Sequence, residues 1–301
     1  MIKKLFLLCL IFGPYTSIQA QSFNPTTEIG VQFGGSYYIG DLNDDHFSLT
    51  QPAIGIAYRK NLDRRFTLKG SVWAGEIRGN DKINNVDTAK INRNLHFKSP
   101  MYEVSGQIEF NFLEYETGNW RFPFSPFVFT GVSFFHFNPQ ARRYDTQNPF
   151  DRDGEGTSNP WTELQPLGTE GQNIVPGKEP YMLSQISIPL GVGFKLSLGE
   201  NVNMMLEYGI RKTFTDYLDD VSGTYVSPFD LYGYDSDQTT VELSDQSLSL
   251  QDYIQDGGDI KDWDQNTGRN RGNENTWTDW YSFAGLTLSF KIVKTPKVCQ
   301  Y

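Results

Sequence analysis

Apolar and polar side chains alternate through "SQISIPLGVGFKLSLG" (184–199). Ile186, Ile188, Leu190, Val192, Phe194, Leu196 and Leu198 share one parity, while Gln185, Ser187, Pro189, Gly191, Gly193, Lys195 and Ser197 share the other. Strand side chains project to opposite faces with a period of two, so this stretch is a β-strand with one wholly apolar face. The same reading predicts seven more strands, at 27–42, 53–62, 66–79, 101–115, 125–137, 202–214 and 279–292, and no convincing helix. Most exceed the 5–6 residues usual in soluble sheets and suit a tilted membrane strand of about 9–11 residues.

The second face decides what the first one meets. At 101–115, Tyr102, Val104, Ile108, Phe110 and Phe112 oppose Glu103, Ser105, Gln107, Glu109 and Asn111; at 202–214, Val202, Met204, Leu206, Tyr208 and Ile210 oppose Asn203, Glu207, Gly209 and Arg211. In the first strand Ile29, Val31, Phe33 and Tyr37 oppose Glu28, Gly30, Gln32 and Ser36, and in the last Leu286, Leu288, Phe290 and Ile292 oppose Gly285, Thr287, Ser289 and Lys291. Small residues with a few charges of both signs suit the filled interior of a narrow eight-stranded barrel, with the apolar face turned to lipid. A soluble lipocalin-like barrel would place large side chains inside and many charges outside, and it has no need of such long strands. The facing of 125–137 is ambiguous, with Phe on both parities. On this reading Arg replaces Leu190 or Val192 at high cost and is tolerated better at Ser187.

Connections alternate in length. Short turns join the second strand to the third, the fourth to the fifth and the sixth to the seventh, while the intervening loops take about 10, 20, 45 and 65 residues. Such segregation marks an antiparallel transmembrane barrel with short periplasmic turns, long extracellular loops and both ends on the periplasmic side. Aromatics gather near strand ends (Tyr37, Tyr38, Tyr115, Trp120, Phe122, Phe124, Phe134 to Phe137, Trp277, Trp280 and Tyr281), where girdles at headgroup depth are expected.

Composition sharpens the picture. The chain has 301 residues, 15% aromatic, and a formal charge of −10, which makes nucleic acid an unsuitable partner and outer-membrane lipid the expected surroundings. Lys3, Lys4, the apolar "LFLLCLIFG" (5–13) and "SIQA" predict a signal peptide over 1–20 and a single barrel domain over 21–301. Cleavage leaves Cys299 alone, as an idle thiol or as one half of an intermolecular disulfide. His46, His96 and His136 show no metal spacing, and no Ser–His–acid set stands at a strand end, so neither catalysis nor a cofactor is expected. "DWDQNTGRN", from Asp262, departs from a calcium-loop pattern by a late glycine and a missing final Glu, and reads as a solvated acidic loop. Residues 219–278 carry 13 acids and three bases, so most of the negative charge faces outward.

Two stretches are more specific. "EIGVQFGGSYYIGDLN" (28–43) resembles the opening strand of PorG-type barrels of the type IX secretion system, and "TFTDYLDDVSGTYV" (213–226) resembles that family's most distinctive segment. "LSDQS" (243–247), the Arg-Gly pair of "GRNRGN" (268–273) and "DWYSFAGLTLSF" (279–290) follow in the family's order. The resemblance implies a non-enzymatic outer-membrane component associated with periplasmic ring proteins of the PorK and PorN type. Read from its residues, the segment with Asp216, Tyr217, Leu218, Asp219, Asp220 and Tyr225 is a loop capping the barrel, its carboxylates bonding turn amides and Tyr217 and Tyr225 lying at the interface; a partner site is the alternative. The expected periplasmic contacts are Arg64 and Arg65, Trp120 and Arg121, and the basic tail with Lys294, Lys297 and Cys299. A stand-alone adhesin or stress-resistance barrel acting through its outer loops is the alternative function.

Overall fold

The alternating stretches become eight strands: β1 (Thr26–Ile39), β2 (Gln51–Asn61), β3 (Phe66–Asn80), β4 (His96–Asn111), β5 (Phe124–Phe137), β6 (Ser184–Ser197), β7 (Val202–Thr213) and β8 (Trp280–Ile292). Each pairs antiparallel with its neighbour in sequence, and β1 pairs with β8, Thr27 opposite Ile292 and Ile39 opposite Trp280, which closes an eight-stranded antiparallel transmembrane β-barrel. The computed structural model describes residues 23, 25–83, 87–143, 159–234, 238–272 and 278–292. The expected signal peptide and the tail bearing Lys294, Lys297 and Cys299 lie outside the described residues, as does Trp277.

Facing follows parity. Ile186, Ile188, Leu190, Val192, Phe194 and Leu198 all stand on the outer wall, Leu190 at 44% exposure, alongside Val31, Ile56, Val72, Val104 and Leu206. Such a continuous apolar exterior is what hydrocarbon requires of a closed sheet, whose backbone groups are all paired internally. The opposite parity is buried and polar. Arg59 pairs with Glu109 at 3.1 Å and with Glu207, Lys69 reaches Glu207 at 2.5 Å, Lys195 reaches Glu109 at 2.6 Å, and Arg211 meets Glu103 at 3.2 Å. Charges in so enclosed a space persist only because each has an opposite partner.

The upper lumen is aromatic. Trp73, Phe135, Phe137, Tyr281, Phe283, Tyr38 and Phe97 form one buried cluster towards the extracellular end. This corrects the girdle expectation for Tyr38, Phe135, Phe137 and Tyr281, and likewise for Tyr115, all of which are at most 1% exposed. Nearness to a strand end sets the height of a ring in the membrane, but parity sets its side of the wall. It also resolves β5: Phe127, Phe129, Phe135 and Phe137 fill the lumen, while Phe134 faces out. Tyr37 keeps the outward parity yet is covered, its hydroxyl 2.8 Å from that of Tyr208 and its ring packed on Phe47 of the first long loop.

Candidate interaction surfaces at the two ends of the barrel

At the periplasmic end the turns are 62–65, 112–123 and 198–201. The first two form one ledge. Arg64 bonds Glu114 at 3.3 Å and Glu116 at 3.1 Å and lies 4.5 Å over the Phe122 ring, which Arg121 approaches at 5.8 Å. Arg65 donates to the Phe112 carbonyl oxygen. The ledge therefore gathers Arg64, Arg65, Trp120 and Arg121, with Arg64 and Arg65 already engaged within the chain. Trp120 is different, standing 89% exposed. The same turn folds inward and closes the lumen: Thr117 donates to Glu28 at 2.5 Å, its carbonyl accepts from Lys291 at 3.3 Å, and Tyr115 is buried. Gly118 makes that crossing possible, with φ +80° and no room for a Cβ, which would lie 2.5 Å from the Glu200 carbonyl oxygen.

At the extracellular end four loops interlock. They carry α1 (Thr88–Arg93), α2 (Pro228–Tyr234), α3 (Thr239–Ser244) and α4 (Leu248–Gln255). Leu218 and Val221 drop into the aromatic cluster, extending the barrel core upward. Between them, Asp219 accepts from the Tyr38 hydroxyl at 2.5 Å and from the Val221 amide at 3.0 Å. Asp279 accepts from the same hydroxyl at 3.1 Å and from the Leu218 amide at 2.8 Å. Burial and neighbouring carboxylates, Asp41 foremost for Asp219 and Asp219 foremost for Asp279, hold both carboxyls well above the usual range. Asp220 adopts the left-handed conformation at φ 67°, which a short polar side chain tolerates better than most. Its carboxylate accepts from Tyr181 at 2.7 Å and from Thr169, and faces Arg271, which also pairs with Glu170 at 3.3 Å. Burial nevertheless pushes Asp220 up to about 6, against the opposing pull of Arg271.

The capping interpretation of this segment thus has its hydrogen bonds on view, mostly to side chains as well as to turn amides. The expectation that Tyr217 and Tyr225 lie at the lipid interface is corrected. Tyr217 stacks on Tyr181 at 4.7 Å, and Tyr225 is 7% exposed inside the cap. Asp216 accepts from Ser222 at 2.8 Å. The later motifs converge on the same place. Asp245 accepts from Trp263 at 3.0 Å and Asn266 at 2.8 Å, Ser247 caps α4, and Arg271 donates to the Ser244 carbonyl at 3.0 Å. The stretch from Asp262 therefore anchors the cap, and no cluster of three His, Cys, Asp or Glu side chains suited to a metal occurs among the described residues. Glu170, Tyr181, Asp81 and Arg93 are central here and carry no sequence motif; an isolated charge in a long loop was the only signal for Glu170, Asp81 and Arg93, and Tyr181 had none.

Residues 3–157 match the family described as "Domain of unknown function (DUF6089)". The chain belongs to that family. The family match ends before the 213–226 segment, so it covers β1 to β5 but not the core of the cap. No curated protein matches the chain. Among solved structures it is similar to Ail, the attachment invasion locus protein of Yersinia pestis, at 8% identity over 90% of this chain and 100% of that one, with a TM-score of 0.39. It is similar to Neisserial surface protein A at 8% identity over 90% and 100%, TM-score 0.39, and to the outer membrane protein OprG of Pseudomonas aeruginosa at 8% over 89% and 96%, TM-score 0.36. This DUF6089 member is an outer-membrane barrel by its own geometry: closed strands, a lipid-facing exterior and loops segregated by length.

Proposed function

We propose that this barrel is a non-enzymatic subunit of a type IX protein secretion system, holding a periplasmic ring of PorK- and PorN-type proteins at the outer membrane. The observation that carries the reading is the ledge of the two turns, from which Trp120 projects almost fully exposed beside Arg121. A bare indole flanked by a cation is the kind of anchor that dominates protein interfaces. The lumen supports anchoring over conduction, since ion pairs and rings occupy it and the 112–123 turn crosses its periplasmic mouth. The basic tail with Lys294, Lys297 and Cys299 would add charge steering to an apolar anchor.

The test is co-purification from detergent extracts. Trp120→Ala should lower recovery of ring proteins several-fold while leaving barrel insertion unchanged, and deletion of residues 294–301 should weaken it further. Wild-type recovery from both variants would end the proposal. A stand-alone barrel acting through its outer loops is the second reading, favoured by the interlinked cap, and it predicts a protein that purifies without ring subunits.

A further inference from the structure

Independently of any periplasmic anchoring, we propose that the extracellular cap holds a binding site for a small soluble molecule bearing an oxyanion, a phosphate or carboxylate on a body about the size of a hexose. The site is a cleft of about 280 Å³ between α1 and the 266–272 segment. Four bases line it, Lys90, Arg93, Arg269 and Arg271, against one acid, Asp87, whose carboxylate caps α1 through the Ala89 amide at 2.8 Å. That balance runs against its setting. Residues 219–278 hold 13 acids and three bases, and two of those three bases are in the lining. The counter-charges of Arg93 and Arg271 stand outside the lining: Arg93 is held by Asp81 at 2.6 Å, and Arg271 by Glu170 at 3.3 Å and Asp220 at 3.6 Å. Lys90 is likewise tied to Asp44, also outside it.

Tyr225 is the second, independent observation. It lines the cleft at 7% exposure, and its hydroxyl hydrogen-bonds nothing among the described residues. The hydroxyl is not sealed from solvent, so it is open to a ligand in the cleft as both donor and acceptor. Its surroundings are fixed in advance. The Tyr225 amide donates to the Arg269 carbonyl at 3.0 Å, the Gly268 amide to the Tyr225 carbonyl at 3.0 Å, and the Arg271 amide to the Gly223 carbonyl at 2.8 Å. Arg93 also donates to the Arg271 carbonyl at 2.6 Å. The motif segment and the Arg-Gly pair are thus locked together around one hydroxyl, near the Arg93 and Arg271 guanidinium groups and also the Asp245 and Asp81 carboxylates. An oxyanion accepts from such donors, and charge-assisted bonds of this kind are about twice as strong as neutral ones.

The full-length protein in a micelle of uncharged detergent is titrated calorimetrically with glucose 6-phosphate, with inorganic phosphate, and with glucose. Saturable binding of glucose 6-phosphate is expected, weaker binding of phosphate, and none of glucose. Arg269→Glu, at an exposed position, should lower affinity at least tenfold, and Tyr225→Phe should lower it several-fold with the fold intact. No saturable binding of the sugar phosphate, equal binding of glucose, or unchanged affinity in both variants would overturn the assignment. Tighter binding of dihexanoyl phosphatidylglycerol than of glucose 6-phosphate would overturn the soluble ligand in favour of a lipid headgroup.

Discussion

Leu190 and Ser187 lie three residues apart on β6 and meet different media. Leu190 is at mid-strand and 44% exposed on the outer wall. Arg in its place would put a charge in hydrocarbon, and an Arg at the midplane costs about 2–4 kcal/mol. Ile292→Arg, on the same wall at the periplasmic end of β8, should cost about 0–1 kcal/mol because the charge reaches the interface. Refolding titrations into lipid vesicles read both, and equal costs would mean that the outer wall does not face lipid. Arg is expected to cost less at Ser187 than at Leu190, and the structure adds a steric cost there that polar parity does not reveal. Ser187 is fully buried, its hydroxyl 2.8 Å from that of Ser133 and 3.0 Å from that of Tyr281, so a long side chain there collides with a filled lumen. Polar parity shows that a residue points inward, not that there is room beside it.

The cap is the element whose behaviour depends most on pH. Asp220 is pushed up to about 6, chiefly by burial, with Glu170 raising it further and Arg271, Thr169 and Tyr181 opposing; Asp219 and Asp279 are also raised, again chiefly by burial. A carboxyl whose folded pKa lies above its unfolded value contributes stability below the unfolded value, near 3.9, and loses it as pH rises through the folded one. The cap should therefore be tighter at pH 5 than at pH 7.5. Hydrogen exchange, corrected for intrinsic rates, should show greater protection at pH 5 for amides in 164–175 and 217–226, with the barrel strands as the internal reference. Greater protection of these segments at pH 7.5 would contradict it.

For the whole molecule the topology makes a direct prediction. Tags inserted after Asn148 or Gly257 should be labelled on intact cells, because both sites belong to long loops. A tag after Tyr301 should be hidden until the outer membrane is breached, since an even number of strands returns the chain to the side from which it entered. Surface labelling of the C-terminal tag would rule out eight strands. The same closed ring accounts for the lumen. A barrel of eight strands leaves an interior just wide enough for side chains, and here Arg59, Lys195 and their carboxylate partners fill one half and the Trp73–Tyr281–Phe135 cluster the other.

Strand number, antiparallel order, loop segregation and the wall facing of every strand but β5 were legible from the sequence, because each depends on a local period of two and on chain length between periodic stretches. The seven apolar positions at 184–199 already contained the answer to what they face. Three things depended on tertiary structure. Aromatic residues at strand ends were sorted between girdle and lumen only by closure of the barrel, which gave Phe135 and Tyr281 an interior to fill. Asp219 and Asp220 look alike in "DYLDD", yet one bonds Tyr38 of β1 and the other faces Arg271, some fifty residues away along the chain. The cleft around Tyr225 joins α1 to residues more than 170 positions later. Periodicity reports on the medium a side chain meets, whereas a pairing between distant loops is set by how the closed barrel brings their ends together, and no local pattern encodes that distance.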